Sequence, residues 1–313
     1  MKQKVIIGSR GSELALWQAN FVKKELEKKN KSISIEIKII KTKGDKILDV
    51  ALSKIGDKSL FTKELEIELL NKNIDFAVHS LKDLQTEIPK GLKLAAVTKR
   101  HNVQDVLIAR KKGTTIFNLP DGATVATGSL RRKCQLLHLR PDLNIVDLRG
   151  NVPSRIKKFL ESDWEAIVLA RAGVERLKLN KHISSIIKTD VMLPAVGQGA
   201  LGIETRADNK LVNEIVKSIH HEDTYKAVLA ERALLKTLEG GCQVPIGALA
   251  EVKSNGIIID ALVGSLDGSL TFRRKIRGSK NNPEEVGRKL ANDLLKAGAK
   301  TILDEIYRTA RAK

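Results

Sequence analysis

The stretch Val5-Ile6-Ile7-Gly8-Ser9-Arg10-Gly11-Ser12 decides the fold of the amino-terminal half of this chain. Its three apolar residues predict a short buried strand, and the glycines and serines that follow predict a turn. Residues 14–26 then place apolar side chains on one helical face, and residues 33–39 alternate isoleucine with polar residues, which is the period of a strand. This alternation of strand and helix predicts a parallel or mixed sheet with helices on both faces.

The pattern continues in the first half and restarts after about residue 103. A helix is predicted near 62–72 and a strand at 75–78. The second half is predicted to contain, in order, strands at 105–109 and 123–126, a helix at 130–139, and strands at 144–148 and 166–169. In each half a helix therefore follows a glycine- and serine-rich loop, the second being Thr127-Gly128-Ser129. Free N–H groups and the positive dipole end make such helix starts candidate anion sites.

The residues from about 222 onward have a different pattern. A long helix is predicted at 223–238. Three apolar runs follow it, near 246–252, 256–264 and 269–277. Asn255-Gly256 and Asp267-Gly268 predict hairpin turns between these runs. Asn282-Pro283 predicts the start of a last helix, because proline suits the first helical position. We expect a small α+β domain with three antiparallel strands.

Composition limits the class of protein. The chain has 313 residues, 42% of them hydrophobic, which is enough for two or three domains with their own cores. It has no apolar run of roughly 18 residues, the length that spans a membrane. The apolar stretch at its start is too short for a signal peptide. The two cysteines, Cys134 and Cys242, lie far apart and do not make a disulfide framework. We expect a soluble cytoplasmic protein with no membrane partner.

The formal net charge of +19 has two interpretations. A nucleic-acid partner is the usual expectation for so basic a chain. Many lysines, however, lie among glutamates in helical patterns, as in residues 23–29, which is typical of a solvated face. The arginines lie beside glycines and serines in short loops, where their planar forks suit the carboxylates or phosphates of a small polyanion. Aromatic residues interleaved with basic ones, as single-strand binders use, are absent from the sequence.

Two further patterns lead to negative predictions. The stretch Gly197-Gln198-Gly199-Ala200-Leu201-Gly202 matches the dinucleotide pattern G-x-G-x-x-G, but a strand rather than a helix is predicted from Leu201. We therefore reject a nucleotide site and expect a hinge where the chain crosses between domains. The six histidines do not pair with cysteines or acids at ligand spacing, so no metal site is predicted.

Basic residues follow predicted strand ends in both halves. Arg149 comes directly after the strand at 144–148, and Arg10 and Asp83 have comparable places in the first half. Because ligands bind at the carboxyl ends of strands in open α/β sheets, we expect these loops to converge on one cleft. The loop Gly240-Gly241-Cys242 adds a thiol that can stand clear of the chain, since glycines remove side-chain bulk.

Together these stretches resemble one family. The chain is similar to the porphobilinogen deaminases, also called hydroxymethylbilane synthases. The similarity spans residues 7–247 in family order, whereas about the last sixty residues carry little of it. The matching stretches are Ile7–Ala19, Lys58–Glu66, His79–Asp83, Gly128–Arg132, Asp147–Val152, Leu193–Ala200 and Gly240–Cys242.

The resemblance implies a fold and a division into domains. We expect an α/β protein with two similar doubly wound domains that resemble periplasmic binding proteins, and a small α+β carboxyl-terminal domain that carries the cofactor. The expected boundaries are residues 1–100 plus 198–218 for domain 1, 104–194 for domain 2 and 222–313 for the carboxyl-terminal domain.

The resemblance also implies an activity. Such an enzyme is a transferase of tetrapyrrole, porphyrin and haem biosynthesis that releases ammonia from porphobilinogen and joins four units head to tail into hydroxymethylbilane. It uses a dipyrromethane cofactor, made from two substrate units and held by a thioether to Cys242. We expect a monomer whose partner is the small molecule porphobilinogen and not nucleic acid.

The family match assigns roles to individual residues. Asp83 is the expected catalytic residue, because a carboxylate beside the pyrrole N–H groups stabilises the cationic intermediate and can move a proton. The residues expected to bind the cofactor are Cys242, Lys82, Asp83, Ser129, Arg131 and Arg132. Those expected to bind substrate carboxylates are Arg10, Ser12, Arg149, Arg155 and Arg176. Lys54 and Lys58 are expected on a mobile loop over the cleft.

Two stretches depart from the family pattern. Leu84-Gln85 stands where a short apolar residue and proline are usual, and Asn102-Val103-Gln104-Asp105 replaces the usual Asp-Pro-Arg-Asp, so no arginine role is carried over there. Two alternative functions remain. A non-catalytic anion-binding protein of the periplasmic-receptor type is disfavoured by the absence of a signal peptide and by the Gly-Gly-Cys loop. A nucleic-acid binder rests on net charge alone.

Overall fold

The computed structural model describes residues 2–46, 60–238 and 244–311. These residues form two compact units. The first unit comprises residues 2–46, 60–101 and 197–225. The second unit comprises residues 102–196, 226–238 and 244–311. The division into three domains stays a prediction, because residues 104–194 and the carboxyl-terminal residues lie in the same unit.

The predicted strands and helices are present in the predicted order, but two strands, Leu92–Val97 and Ser185–Ile187, and four helices, Lys43–Lys46, Val152–Glu161, Arg171–Arg176 and Lys210–Lys217, were not predicted. The strands are β1 (Gln3–Ser9), β2 (Ile33–Ile39), β3 (Phe76–Ser80), β4 (Leu92–Val97), β5 (Asp105–Ala109), β6 (Thr124–Ala126), β7 (Asn144–Val146), β8 (Ala166–Ala170), β9 (Ser185–Ile187), β10 (Leu201–Arg206), β11 (Ile246–Lys253), β12 (Gly256–Gly264) and β13 (Thr271–Gly278). The helices are α1 (Glu13–Lys29), α2 (Lys43–Lys46), α3 (Lys63–Leu70), α4 (Leu130–Leu139), α5 (Val152–Glu161), α6 (Arg171–Arg176), α7 (Lys210–Lys217), α8 (Glu222–Thr237), α9 (Pro283–Leu294) and α10 (Lys300–Arg311).

The first unit is built on one mixed sheet with the strand order β2-β1-β3-β10-β4. Strands β1, β2 and β3 are parallel, whereas β10 runs antiparallel between β3 and β4. Helices α1 and α7 bury their apolar faces on one side of the sheet, and α3 covers the other side with Leu65 and Leu69. The isoleucine alternation correctly predicted β2, whose Ile33 and Ile35 are buried in this core.

The second unit contains a sheet of the same design, with the order β7-β6-β8-β5-β9. Strands β6, β7 and β8 are parallel, and β5 runs antiparallel between β8 and β9. Strand β5 therefore has the place that β10 has in the first sheet. The identical order and directions confirm the prediction of two similar α/β sheets.

The carboxyl-terminal residues form the predicted antiparallel sheet, in the order β11-β12-β13. Helices α8, α9 and α10 contribute to one apolar core with this sheet. The prediction of a single last helix was wrong, because α9 and α10 are separated by a kink at Gly298. Its φ of 117° favours glycine, and a Cβ there would lie 2.6 Å from Cζ of Phe272. Apolar periodicity continues through such a kink and does not reveal it.

The crossing segment 197–202 leads into a strand, as predicted for the glycine motif. The chain passes from the second unit to the first between Val196 and Gly197, and Gly202 lies within β10. The described helices include none that is long and apolar enough to cross a membrane.

The buried apolar side chains of the carboxyl-terminal core should carry much of its stability. Leu290 of α9 is fully buried, so Leu290→Ala should lower the free energy of unfolding by about 2–5 kcal/mol through lost burial and a residual cavity. Leu211 of α7 is 50% exposed and serves as the matched control, with an expected change within about 0.5 kcal/mol for Leu211→Ala. Urea unfolding followed by circular dichroism measures both, and equal losses would contradict the burial assignment.

Candidate active site

Predicted site residues of the first unit lie at one edge of its sheet, where β1, β2 and β3 end. Strands β1 and β3 are parallel neighbours, with Gly8 opposite Ala77. Arg10 follows β1, and a 3-10 turn, Leu81–Asp83, follows β3. Arg10, Ser12 and Asp83 line one pocket at this edge. The structure thus brings Asp83 together with Arg10 and Ser12, which lie 73 and 71 positions before it in the sequence.

Arg10 is held in a defined orientation. Its guanidinium lies 4.2 Å from the centre of the Phe61 ring, and its Nε donates to Oδ1 of Asp45 at 3.2 Å. Oδ2 of Asp45 also accepts from the hydroxyl of Thr42 at 2.8 Å. Burial raises the pKa of Asp45, but the hydrogen bonds from Arg10 and Thr42 outweigh it and hold the pKa below its ordinary value. Asp45 was not predicted as the partner of Arg10.

Ser12 and Asp83 have different environments. Ser12 is the N-cap of α1, and its hydroxyl accepts from the backbone N–H of Ala15 at 3.3 Å. The side chain of Asp83 is exposed and makes no hydrogen bond or ion pair with any residue that the structure describes. Its carboxylate is therefore available to a ligand in the pocket. Lys82 beside it is half-buried.

A buried polar pair lies in the same unit. His79 of β3 is 5% exposed and Glu204 of β10 is fully buried, and Nε2 of His79 lies 3.1 Å from Oε2 of Glu204. His79 also lines the pocket that contains Asp83. His79 was predicted only as part of the stretch His79–Asp83 and not as a member of a buried pair. Its partner could not be predicted, because Glu204 lies 125 positions away in the chain.

The predicted basic residues of the second unit lie at the corresponding edge, where β6, β7 and β8 end. The backbone N–H of Thr127, after β6, donates to the carbonyl of Val146 in β7 at 2.8 Å. A Cβ on Gly128 would lie 2.7 Å from the carbonyl oxygen of Leu148, so the loops after these two strands touch. Helices α4, α5 and α6 begin at this edge. The residues that they and their loops carry are Ser129, Arg131, Arg132, Arg149, Arg155 and Arg176.

Arg131 and Arg132 share one buried carboxylate. Nη1 of Arg131 and Nη2 of Arg132 each lie 2.8 Å from an oxygen of Asp105, which is fully buried. Arg131 also donates to the carbonyl of Leu193 at 2.7 Å, and Arg132 to that of Val168 at 3.0 Å. Burial raises the pKa of Asp105, but the two positive charges outweigh it and hold the pKa well below its ordinary value. A role for both arginines in cofactor binding stays a prediction.

The guanidinium of Arg149 is more available to a ligand than those of Arg131 and Arg132. It is half-buried, and its Nη1 is buried without a hydrogen-bond acceptor among the described residues. Arg155 binds the residue that follows Arg149, because Nε of Arg155 donates to the carbonyl of Gly150 at 2.7 Å. Arg176 is buried, and burial lowers its pKa to about 10, so it stays positively charged at neutral pH. Ser129 is the N-cap of α4, and its hydroxyl makes no capping hydrogen bond.

Three predicted residues lie outside the described part of the chain: Lys54, Lys58 and Cys242. Cys134 is described, and it is buried in α4. Burial raises the pKa of the Cys134 thiol to about 12, so this cysteine is a poor nucleophile at neutral pH. Over residues 2–46, 60–238 and 244–311, no group of three or more His, Cys, Asp or Glu side chains could hold a metal ion.

Comparison with protein families decides the classification. The family model "Porphobilinogen deaminase, dipyromethane cofactor binding domain" matches residues 5–214. The chain belongs to the porphobilinogen deaminase family. The model of the family's carboxyl-terminal domain matches residues 225–296, so both parts of the family pattern are present in order. The expectation that about the last sixty residues carry little family similarity was therefore wrong.

Curated relatives that match over their full length support this family membership. Porphobilinogen deaminase of Carboxydothermus hydrogenoformans is 53% identical over 310 residues, which cover 99% of each chain. That of Chlorobium phaeobacteroides is 51% identical over 313 residues, covering 99% of this chain and 100% of the relative. Among solved structures, the methionine binding protein MetQ matches 71% of this chain and 92% of its own chain, with 15% sequence identity and a TM-score of 0.45.

The ion triad of Asp105, Arg131 and Arg132 should be essential for stability. Asp105→Asn leaves two buried guanidinium groups without a counter-charge, so the free energy of unfolding at pH 7 should fall by about 3–5 kcal/mol. The folded pKa of Asp105 lies below the unfolded value of about 3.9, so its contribution is full at neutral pH and shrinks as the pH falls below about 4. Urea unfolding at several pH values measures this difference.

The control for that experiment is Asp142→Asn. Asp142 also pairs with an arginine, Arg140, but at the surface, where solvent screens the interaction. Its substitution should change stability little at any of these pH values. If Asp105→Asn unfolds at the same urea concentration as the control, the triad does not hold this unit together.

Proposed function

We propose that the chain deaminates porphobilinogen and joins four units head to tail into the linear tetrapyrrole hydroxymethylbilane. Family membership over the whole chain supports this transferase activity. The structural observation that carries the proposal is the carboxylate of Asp83, which has no partner among the described residues and shares a pocket with Arg10 and Ser12 at the carboxyl edge of the first sheet. That combination suits a substrate with a ring N–H and two carboxylates.

Asp83 is proposed to act on the reacting ring. When porphobilinogen loses ammonia, its pyrrole ring becomes a cationic methylene-pyrrolenine. A carboxylate that accepts a hydrogen bond from the ring N–H stabilises this positive charge as it develops. The same carboxylate can take up the proton that is released when the new carbon–carbon bond has formed. Asp83 is suited to both roles because it is not committed to a partner among the described residues.

The residues present fit a dipyrromethane cofactor. Each of its rings bears an acetate and a propionate, so it needs several cations in a confined site. Nη1 of Arg149 is buried and has no acceptor in the part of the chain that the structure describes, and a carboxylate of the cofactor or growing chain would supply one. We propose that Lys82, Ser129, Arg131 and Arg132 hold the cofactor. When bound, the cofactor supplies the free pyrrole α-carbon to which the first substrate is joined.

The remaining basic residues are proposed to bind the carboxylates of substrate and product. Asp45 binds Nε and Nη2 of Arg10, and Phe61 packs on the guanidinium, so little side-chain entropy is lost when the remaining Nη1 binds a carboxylate. Arg155 and Arg176 contribute positive charge at the second edge. Lys54 and Lys58 are proposed to cover the site from the loop that contains them.

A small polyanion explains the basic charge better than nucleic acid does. Arg131, Arg132 and Arg176 are each at most 8% exposed, so a duplex could not reach them with its phosphates. We propose that the protein acts as a monomer in the cytoplasm on a small-molecule substrate.

The proposed attachment of the cofactor to Cys242 can be tested by intact-protein mass. Cys242→Ser should abolish the dipyrromethane mass increment. Cys134→Ser is the matched control and should keep it, because the Cys134 thiol is buried and has a raised pKa. An increment that persists in Cys242→Ser and disappears in Cys134→Ser would reverse the assignment.

The proposed role of Asp83 can be tested by turnover. Asp83→Asn keeps the shape of the side chain but removes its charge and basicity, so kcat should fall about 10²–10⁴-fold. The cofactor mass should stay in place, which separates a chemical defect from a failure to assemble. Asp75→Asn is a control in the same unit, since Asp75 accepts a backbone hydrogen bond from Ile6 away from the pocket. Turnover of Asp83→Asn within a few-fold of wild type would refute this role.

A further inference from the structure

The turn that carries Asp83 rests directly on the crossing segment Gly197–Gly202. The backbone N–H of Leu81, the first residue of the turn, donates to the carbonyl of Ala200 at 3.1 Å. The Leu81 side chain is 2% exposed. The position of the turn is therefore determined by a buried leucine and by its contacts with this segment.

Two glycines of the segment leave no room for a side chain beside Leu81. A Cβ on Gly202 would lie 2.6 Å from Cδ1 of Leu81, well inside van der Waals contact. A Cβ on Gly197 would lie 3.2 Å from the backbone N of Lys82, and the φ of Gly197 is +72°. The turn and the segment thus approach each other more closely than two ordinary residues could.

Arg100 and His101 hold the segment through its backbone carbonyls. The N–H of His101 donates to the carbonyl of Gly199 at 3.1 Å, and Nε of Arg100 donates to that of Gln198 at 2.8 Å. Further along β10, Glu204 binds His79 of β3 at 3.1 Å. Strand β3 and the turn after it are therefore fixed against β10 at two separate points.

We propose that the Gly197–Gly202 segment positions the catalytic carboxylate of Asp83, and that Gly202 is a positioning residue for the reaction. The G-x-G-x-x-G pattern in this chain then serves close backbone approach to the catalytic turn and not nucleotide binding. This inference rests on the proposed role of Asp83. The inference has one distinctive consequence. A methyl group added at Gly202 would push against Leu81, shift the turn that carries Asp83 and so lower kcat.

The test is Gly202→Ala. To restore ordinary contact, Leu81 must move by about 1 Å, and a displacement of that size can cost about 100-fold in rate. We expect kcat to fall about 10- to 100-fold while KM and the cofactor mass increment change little. Gly278→Ala is the matched control: it lies in strand β13, and its Cβ would also meet an aliphatic methyl, Cγ2 of Val286 at 2.4 Å, in the carboxyl-terminal core. It should lose comparable stability but keep kcat.

A second variant tests whether the contact between Leu81 and Gly202 is responsible. It also keeps the inference testable if Gly202→Ala does not fold. Leu81→Val removes the Cδ1 atom that Gly202 accommodates, so it should loosen the turn and lower kcat about tenfold by itself. The double variant Gly202→Ala/Leu81→Val refills that space and should recover most of the activity. The other close neighbour is Leu94, whose Cδ1 would lie 3.0 Å from a Cβ on Gly202. The double variant Gly202→Ala/Leu94→Val makes room only at Leu94 and should not restore kcat.

The outcomes separate this inference from the proposed function. If Asp83→Asn is impaired but Gly202→Ala and Leu81→Val both turn over normally, Gly202 does not position Asp83. Equal loss of kcat in Gly202→Ala and Gly278→Ala, or rescue by Leu94→Val as strong as by Leu81→Val, would also overturn the inference. Normal turnover in Asp83→Asn would instead show that the role of Asp83 is wrong.

Discussion

The buried carboxylate of Asp105 is the constraint on which the start of α4, at the carboxyl edge of the second sheet, depends. It pairs with both Arg131 and Arg132, two adjacent residues in the first turn of α4, and so fixes that helix against the first residue of β5. The same guanidinium groups bind the carbonyls of Leu193 and Val168, which joins α4 to β8 and to the chain before the crossing segment. Without the carboxylate, two positive charges would be buried beside each other. The helix start that presents Ser129 is therefore held by charge as well as by packing.

This constraint extends to the carboxyl-terminal sheet. The side-chain amide of Gln135 binds Leu193 at both its N–H and its carbonyl, at 2.8 Å and 3.1 Å. The next residue, Pro194, accepts a hydrogen bond at 2.9 Å from Ala248 in β11. Strand β11 begins at Ile246, four residues after Cys242 in the sequence. One continuous set of hydrogen bonds thus joins Arg131 of α4 to the strand that follows Cys242 in the sequence.

The sequence predicted the elements of the fold better than their assembly. Long or strongly periodic elements, such as β2 and α4, were predicted within about two residues of their observed bounds, because local apolar spacing determines them. Strand β9 was not predicted, since three residues show no periodicity. The antiparallel insertion of β10 between β3 and β4 could not be predicted from periodicity either, because spacing indicates a strand but not its neighbours.

The candidate site shows the same division. The position of Arg10, Asp83 and Arg149 at strand ends followed from the alternation of strands and helices. The partners of the charged side chains did not, because they depend on tertiary contacts: Arg10 binds Asp45, and Glu204 binds His79. One signal was present for Asp105, since a carboxylate at the start of an apolar strand requires a buried partner. The two consecutive arginines of α4 were the available candidates.

The most direct test of the account is the intact mass of the wild-type protein before and after porphobilinogen is added. The account predicts a purified protein heavier than its 313-residue chain by one dipyrromethane. Added substrate should then produce a transient series of species, each heavier than the last by one pyrrole unit, and the series should decay to the starting mass as product is released. An unmodified mass that stays unchanged after substrate is added would contradict the account.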